Sequence, residues 1–305
     1  MAKIASIVAA TDFSPAADRA VRRAASLASS TKGVLHLVHV LPPRELLAQF
    51  FPVPSESEAT ELRKRADQAL QERAHRVAAQ FAVTPSWALF HGYAHQEILA
   101  AARLVAANLI VVGAQGQHEG ASPSEMVGET ALKVAGRSGV ATLLVRREAR
   151  EPYHCVIACG KGAPIDRAVA GWADSLSPNN LIHIVSAYTV PYEERLLMWG
   201  ASQSTIDVYA GREHEERSRQ LSSTLAGLGI PAARARLHVE RGAPLQVILQ
   251  SAAQLESDLI IAGRRAQADP LGGGAFGSVA RHLALAAPMD VLIVTPEGAS
   301  SKSES

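Results

Sequence analysis

The sequence predicts an α/β protein made of two tandem doubly wound domains, each with a five-stranded parallel sheet covered by helices on both faces. Three observations support this class. The 305-residue chain repeats itself with an offset of about 150 residues. Short apolar runs alternate with helical segments in each copy, which is typical of parallel strands joined by crossover helices. Hydrophobic residues make up 48% of the chain, enough to fill two cores.

The repeat is carried by three short segments and by the spacing that follows them. The segments recur at matching places: 18–21 at 166–169, 91–99 at 241–249, and 108–113 at 258–263. From Gly128 and from Gly277 the chain then runs the same length to a valine that closes each copy. These matches favour two domains, at residues 1–147 and 151–297, over a single large α/β barrel.

The first elements of the first copy are marked by an apolar run and a helix cap. Residues 4–10 are short and apolar, as expected for a strand buried on both faces. Ser14 is a favourable N-cap and Pro15 suits the first turn of a helix, which we expect to end near residue 30. The second strand is predicted at Val34–Leu41.

A long helix and three further strands complete this copy. Residues 55–58 (SESE) form a capping box that opens a helix to about residue 81. The remaining elements follow in chain order: a strand at 86–90, a helix at 94–107, a strand at Leu109–Gly113, a glycine-containing loop, a short helix from Gly128 and a strand at Ala141–Val145. The second copy repeats this order, with strands at 156–159, 181–187, 235–239, Leu259–Gly263 and 291–295.

The charge balance excludes proteins that depend on a strong global field. The chain holds 30 Lys and Arg against 29 Asp and Glu, a formal net charge of +1. Such a chain has no overall basic field for nucleic acid or an anionic membrane. Residues 1–147 carry 16 basic and 12 acidic side chains and residues 148–305 carry 14 and 17, so the first half is mildly basic.

The location expected from the sequence is the cytoplasm. No apolar run reaches the roughly 18–20 residues of a membrane helix, and the start of the chain lacks the ordered regions of a signal peptide. Cys155 and Cys159 lie in one predicted strand about 13 Å apart, too far for a mutual disulfide, and are interpreted as inert core thiols. The Ser-rich tail 298–305 is expected to be disordered.

Candidate ligand-binding residues of the first copy follow its predicted strands. Asp12 ends the first strand, Gly113 and Gly116 follow the fourth, and Gly128 opens the next helix. Open parallel sheets bind ligands at these carboxyl ends, where glycines let a phosphate approach and a helix N-terminus offers free N–H groups. The alternative is that the glycines only form turns and that the polar residues only cap helices.

The second copy offers a different set of candidates in the corresponding loop. Gly263, Arg264 and Arg265 follow its fourth strand, and Gly277 and Ser278 open the next helix. The two guanidinium groups would clamp phosphate oxygens, and the serine hydroxyl would donate to a phosphate. The alternatives are a solvated arginine pair and a simple helix cap.

Both copies resemble the universal stress protein domain. The resemblance is carried by residues 7–14 (IVAATDFS) and 277–280 (GSVA), and it covers nearly the entire chain. It implies a Rossmann-like fold of the adenine nucleotide alpha hydrolase type. The family motif is Gly, two residues, Gly, nine residues, then Gly with Ser or Thr, and it binds the phosphates and ribose of ATP. The resemblance further implies that Asp12 contacts the adenine or ribose and that His39 and Val40 contact adenine.

Neither copy carries the complete motif. In the first copy the second spacer is 11 residues long and Glu129 takes the Ser/Thr place, where its carboxylate would repel a triphosphate unless a metal ion intervenes. Thr130 is the substitute hydroxyl donor. In the second copy Ala266 replaces the second glycine, the spacer is ten residues, and Gly160 stands where the aspartate is expected.

The resemblance implies a stress-response protein that binds ATP, with Mg²⁺, or another adenine nucleotide, and that acts through protein contacts. Family members pair through their last strands, so residues 140–145 and 291–295 are expected to form a pseudo-two-fold pair in one chain, and two chains to associate further as a homodimer. No catalytic signature is present, so any ATP hydrolysis would be slow and incidental. The alternative is a scaffold that binds no nucleotide, which Glu129, Gly160 and Ala266 favour.

Several histidines and two apolar stretches allow more than one interpretation. The histidines near the predicted carboxyl-end loops are His91, His95 and His118. Their spacing is not a metal-ligand pattern, so a metal site is the weaker interpretation. His36 and His183 share a repeat position and are interpreted as packed, hydrogen-bonded strand residues. The stretches 46–54 and 188–199 are either lids or partner-binding patches, or they pack under the long helices.

Overall fold

The structure is a computed structural model that describes residues 4–48, 55–115, 127–148, 153–158, 160, 163–264 and 276–295. The elements of the first half are β1 (Ser6–Ala10), α1 (Pro15–Thr31), β2 (Val34–Leu41), α2 (Arg44–Leu47), α3 (Glu56–Phe81), β3 (Ser86–His91), α4 (Ala94–Leu104), β4 (Leu109–Gly113), α5 (Glu129–Arg137) and β5 (Ala141–Val145). The predicted alternation of strands and helices is confirmed, with differences of a few residues at the ends.

The second half repeats the order of the first, including the short helix before the long one, and adds a single 3₁₀ turn before its third strand. Its elements are β6 (Cys155–Ala158), α6 (Ala163–Leu176), β7 (Ile182–Tyr188), α7 (Glu193–Met198), α8 (Gln203–Gly227), a single 3₁₀ turn at Ala232–Arg234, β8 (Ala235–Arg241), α9 (Pro244–Gln254), β9 (Leu259–Gly263), α10 (Ser278–Ala286) and β10 (Asp290–Val294).

All ten described strands form one continuous sheet in the order β3-β2-β1-β4-β5-β10-β9-β6-β7-β8. Neighbouring strands within each half are parallel, and β5 pairs with β10 antiparallel, with Leu143 opposite Leu292. The predicted pairing of the last strands is therefore confirmed. The strand order reverses between β1 and β4 in the first half and between β6 and β9 in the second, which are the positions where doubly wound sheets form a ligand crevice.

The helix starts are determined by local capping. The Ser14 hydroxyl accepts a 3.1 Å hydrogen bond from the Ala17 N–H, and Pro15 occupies the first turn of α1. Ser55 and Glu58 form the expected capping box, in which the Ser55 N–H donates to the Glu58 carboxylate at 2.7 Å. These contacts satisfy N–H groups that have no partner inside a helix.

Two hydrophobic layers lie on opposite faces of the sheet. In β1, Ile7 and Ala9 face the layer under α1 and α3, while Val8 between them faces the layer under α4 and α5. All three side chains are fully buried, which explains why the strand is a continuous apolar run rather than an alternating one. The helices on the two faces thus hold the strand ends in place.

The structure describes only part of the two apolar stretches and one of the two cysteines. In the stretch 188–199, Tyr188 is buried while Tyr192, Met198 and Trp199 are 69%, 75% and 71% exposed, so this stretch does not simply pack under the long helix. The stretch 46–54 lies outside the described residues beyond residue 48. Cys155 is buried, and burial raises the pKa of its thiol.

Cys159 and the tail 298–305 also lie outside the described residues. Across the part of the chain that the structure describes, no helix is long and apolar enough to cross a membrane.

Candidate functional site

The end of β1 forms a tight hydrogen-bonded turn that presents Asp12. The Thr11 N–H donates to the Val38 carbonyl at 2.8 Å, which extends the pairing of β1 with β2. The Asp12 carboxylate then accepts the Ser14 N–H at 3.0 Å, and the Thr11 hydroxyl accepts the Phe13 N–H at 3.1 Å. Asp12 remains exposed, next to the crevice between β1 and β4. The predicted position of this carboxylate at the carboxyl end of the sheet is therefore observed.

Phe13 holds this turn in an unfavourable backbone conformation. Its φ of 66° lies in the left-handed region, which costs a non-glycine residue about 1–2 kcal/mol. The His39 ring packs against the Phe13 ring with centroids 4.3 Å apart, and the Arg73 guanidinium lies 5.1 Å from the Phe13 centroid. These two contacts from β2 and α3 offset the backbone cost and fix the position of the neighbouring Asp12.

Arg73 is the residue of this site that the sequence analysis missed. It comes from the middle of α3, is buried, donates to the Thr11 hydroxyl at 2.8 Å and pairs with Asp18 at 2.6 Å. Burial lowers its pKa, and the Asp18 charge opposes this shift. The sequence does carry a sign that Arg73 is buried. It lies on the apolar stripe of α3, one turn from Leu70 and from Val77.

His39 and Val40 project to opposite faces of the sheet. The Nδ1 of His39 lies 2.7 Å from the Thr11 carbonyl, and because a carbonyl only accepts, this nitrogen carries the proton. Burial lowers the pKa of His39, opposed by that hydrogen bond and by Asp12. Val40 packs against the layer on the α4 side. One ligand therefore cannot contact both side chains from the same face.

Gly113 is required where β4 meets α1. A Cβ atom on this residue would lie 2.9 Å from the carbonyl carbon and oxygen of Ala16, which are backbone atoms that cannot easily move. The Ala114 carbonyl accepts the Gly128 N–H at 2.8 Å, so the start of α5 returns to the end of β4. Gly128 is the N-cap of α5, as predicted from its place before a helix. Gly116 lies outside the described residues.

Glu129 and Thr130, both exposed, begin α5 at the predicted phosphate end. The Glu129 carboxylate pairs with Lys133 at 2.6 Å, and this contact lowers its pKa, so the carboxylate is ionised at neutral pH. Its negative charge is thus partly offset by a cation one turn along the helix. Thr130 follows Glu129 in the first turn of α5, at the positive end of the helix dipole.

Arg264 differs from its expected role as a phosphate clamp. Arg264 is 8% exposed, and its guanidinium donates to the Gly136 carbonyl and, at 2.5 Å, to the Ser138 carbonyl. Both acceptors lie at the carboxyl end of α5 in the other half, where a cation is favoured. Burial lowers the pKa of Arg264. This side chain therefore joins the two halves, and Arg265 lies outside the described residues.

The other candidates of the second half lie at the expected places without forming a matching site. Gly263 approaches α6 as Gly113 approaches α1, because a Cβ here would lie 2.0 Å from Ile165. Gly277 is the N-cap of α10 and Ser278 is its exposed first residue. Gly160 is exposed where the first half has a carboxylate. Ser186, at the repeat position of His39, is 1% exposed, and its hydroxyl has no hydrogen-bond partner among the described residues.

The histidines mostly take part in packing. His36 contacts the Ser86 hydroxyl at 2.6 Å, and His183 contacts His238 at 3.1 Å, which agrees with hydrogen-bonded strand residues. His95 lies 3.0 Å from an Arg137 nitrogen between α4 and α5, and His118 is outside the described residues. Within the described ranges, no group of three or more His, Cys, Asp or Glu residues is arranged to hold a metal ion.

Two doubly wound domains that join through their last strands and present an aspartate at one strand switch point define a tandem protein of the Rossmann-like class. The model of the universal stress protein family matches residues 3–146 and again 163–295. The chain therefore belongs to the universal stress protein family, and it carries two copies of the domain.

Solved structures share this tandem architecture. A universal stress protein from Archaeoglobus fulgidus DSM 4304 matches with a TM-score of 0.67 and 17% identity, covering 95% of this chain and 98% of that one. A functionally unknown protein from Pseudomonas aeruginosa PAO1 matches with a TM-score of 0.66 and 17% identity, covering 97% and 94%. At this identity the likeness establishes the fold. No curated protein sequence matches the chain.

Proposed function

We propose that this universal stress protein binds an adenine nucleotide in its first domain, while the second domain serves mainly to hold the pair of domains together. The observation that carries the proposal is the difference between Asp12 and Gly160. The first domain presents an exposed, braced carboxylate at its strand switch point, and the second has no side chain there. A carboxylate at this point accepts hydrogen bonds from ribose hydroxyls or the adenine amino group.

The phosphate end of the proposed site is the start of α5. Gly128, Glu129 and Thr130 supply a helix N-terminus and a hydroxyl, both of which suit phosphate oxygens. The Glu129 carboxylate is ionised and would repel a triphosphate directly. These residues therefore fit ATP when Mg²⁺ accompanies it, because the metal neutralises part of the phosphate charge. We expect binding to be weaker for ATP without Mg²⁺.

The second domain retains a helix start with a hydroxyl at Gly277 and Ser278 but lacks the carboxylate of such a site. Its Gly160 offers no carboxylate, and the guanidinium of Arg264 donates to carbonyls of the first domain. We propose that the nucleotide-bound protein acts in the cytoplasm through contacts with other proteins. Any hydrolysis of the bound ATP would be slow and incidental.

A scaffold that binds no nucleotide is the alternative function. The negative charge of Glu129 at the start of α5 is the specific observation that favours it, since this position would otherwise attract phosphate.

The test is to measure nucleotide released from freshly purified, denatured protein by mass spectrometry, and then to titrate the protein with ATP and Mg²⁺ by calorimetry. We expect one binding site per chain. Asp12→Ala should weaken binding by at least about tenfold, because it removes a charged hydrogen-bond acceptor. Ser278→Ala in the second domain is the matched control and should leave affinity unchanged.

The outcomes separate the two functions. Absence of released nucleotide, together with no heat on titration, rejects the nucleotide site and supports the scaffold. Binding that Ser278→Ala weakens while Asp12→Ala leaves intact would place the site in the second domain and contradict our assignment.

A further inference from the structure

The two edges of the ten-stranded sheet differ in their chemistry. The edge strand β3 (SWALFH) contains no Lys, Arg, Asp, Glu or Pro. The opposite edge strand β8 (ARLHVER) carries Arg236, Glu240 and Arg241. Charged side chains on an edge strand discourage the addition of another strand. By this criterion β8 is protected and β3 is open to pairing.

A groove runs along the open edge. A cavity of about 460 Å³ lies between α3 and β3, and it is lined by Thr60, Arg63, Lys64, Asp67, Trp87, Ala88 and Leu89. Trp87 is 37% exposed, and its ring meets His75 of α3 edge-on with centroids 6.1 Å apart. Trp87 and Leu89 are two residues apart on β3 and so project to the same face. They form an aromatic and aliphatic floor beside the edge of the sheet.

The α3 wall of this groove is mainly positive. Arg63 and Lys64 are exposed, and neither has an ion-pair partner among the described residues. Asp67 is the single acidic residue of the lining. The groove also belongs to the half of the chain in which basic side chains outnumber acidic ones. An occupant with carboxylates would therefore be favoured.

We propose that β3 accepts an extended acidic peptide as an additional strand. The outer edge of β3, which pairs with no other strand among the described residues, would supply main-chain hydrogen bonds, which give affinity without regard to sequence. On the face of the added strand that turns toward α3, Trp87 and Leu89 would receive apolar side chains of the peptide, and Arg63 and Lys64 would pair with carboxylates on that same face. This site lies on the first domain's outer edge and is independent of the proposed nucleotide site.

The charge of the groove argues against a second copy of this chain as the occupant. Antiparallel pairing of two β3 strands needs a two-fold axis perpendicular to the sheet. That axis keeps both α3 helices on the same face, so Arg63 and Lys64 of the two copies would lie across the seam from each other. Like charges in this arrangement oppose association, whereas an acidic peptide is attracted.

The test uses a short, blocked, fluorescently labelled peptide with the repeat Val-Ser-Glu-Ser, in which Val and Glu project to the same face of an extended strand, titrated with the full chain and followed by anisotropy. We expect saturable binding that weakens as salt is added. Two peptide controls separate the contributions: Lys in place of Glu tests charge, and N-methylation of alternate residues removes the main-chain donors while keeping the charge. Both control peptides should bind at least about tenfold more weakly.

Protein variants place the binding on this edge. The double variant Arg63→Glu and Lys64→Glu should weaken binding by about tenfold. Arg236→Glu on the opposite edge is the matched control and should leave binding unchanged. All three residues are exposed, so we expect the variants to fold, and circular dichroism checks this. If the double variant does not fold, Lys64→Glu alone and the salt titration of the unchanged protein serve the same purpose.

Three results would overturn the proposal. One is the absence of binding at millimolar protein concentration. Another is equal binding of the N-methylated peptide, since this rules out strand addition. The third is a dimer in sedimentation analysis that dissociates when β3 is altered, which would make a second copy the occupant.

Discussion

The phenol hydroxyl of Tyr153 donates a 2.7 Å hydrogen bond to the carboxylate of Asp290, and both side chains are buried where the two domains join. The other carboxylate oxygen of Asp290 accepts hydrogen bonds from the backbone N–H groups of Arg146 and Arg147 at 2.7 and 3.0 Å. The Arg23 guanidinium covers the Tyr153 ring at 3.9 Å. This carboxylate therefore joins three separate parts of the chain at the start of β10, which fixes the register of the antiparallel β5–β10 pair.

Tyr153→Phe should destabilise the protein by about 1.5–3 kcal/mol, because it removes a hydrogen bond to a buried carboxylate that water cannot replace. Urea unfolding followed by circular dichroism measures the change. Tyr209→Phe is the control, since Tyr209 is 50% exposed, and its effect should stay within about 0.5 kcal/mol. Equal effects of the two substitutions would contradict the structural role of Tyr153.

Arg264→Gln should also reduce stability, by about 2–4 kcal/mol, because two carbonyls at the end of α5 lose a buried charged donor. Arg212→Gln on the exposed side of α8 is the matched control, and chemical denaturation of both variants gives the comparison. The affinity for ATP and Mg²⁺ should be the same in Arg264→Gln as in the unchanged protein. If Arg264→Gln is as stable as the unchanged protein but no longer binds nucleotide, Arg264 is a phosphate ligand and our assignment is wrong.

Two glycine substitutions should have opposite effects on stability. Gly113→Ala should destabilise by about 1–3 kcal/mol, because its Cβ would meet the Ala16 backbone at 2.9 Å. Gly211→Ala in the middle of α8 should stabilise by about 0.5–1 kcal/mol, since no atom lies within 4 Å of its Cβ position and alanine favours a helix. Thermal unfolding measures both, and a neutral Gly113→Ala would show that β4 and α1 can separate at no cost.

Stability should fall as the pH drops below neutrality because of His183 and His238. Their rings share a 3.1 Å contact, and burial lowers both pKa values. The charges of His238, His154 and Arg236 lower the pKa of His183 further. At His238, Glu240 opposes the shift and Arg236 adds to it. The folded protein favours the neutral form of both rings, so their pKa values are lower in the folded than in the unfolded chain. Their contribution to the free energy of unfolding is therefore complete above about pH 6.5 and is lost as the pH falls toward the folded-state pKa.

Urea unfolding at about pH 7.5 and about pH 5.5 measures this dependence. His238→Gln keeps a hydrogen-bonding side chain beside His183 but removes one titrating ring, so the loss of stability between the two pH values should be smaller. An unchanged pH dependence in the variant would show that other groups are responsible.

Local sequence signals predicted most element boundaries, and the failures have local causes. The capping box at Ser55 and the cap at Ser14 act within a few residues, so they are readable from the chain. The helix expected over 94–107 instead ends at Leu104. Ala106 has a φ of 47°, and the Ala107 N–H bonds back to Ala102 at 2.8 Å, which ends the helix without the glycine that usually marks such a turn.

The candidate site was only partly predictable for a different reason. Asp12, Gly113 and Gly128 follow apolar strands or precede a helix, so their place at the carboxyl edge follows from the topology. Arg73 reaches the same place from the middle of α3, 62 residues from Thr11 along the chain. No spacing rule connects two residues so far apart, and only the packing of α3 on β1 and β2 brings them together.

The sequence by itself determined that this chain is two copies of one α/β domain, because hydrophobic periodicity, helix caps and an internal repeat are properties of neighbouring residues. The tertiary structure decided how the copies divide their roles. Arg264 looked like a phosphate ligand by its position in the repeat, yet its guanidinium lies against the other domain, 128 residues away along the chain from Gly136. A long charged side chain donates hydrogen bonds to whichever acceptors the fold brings close to it. Here the pairing of β5 with β10 brings the end of α5 close to Arg264.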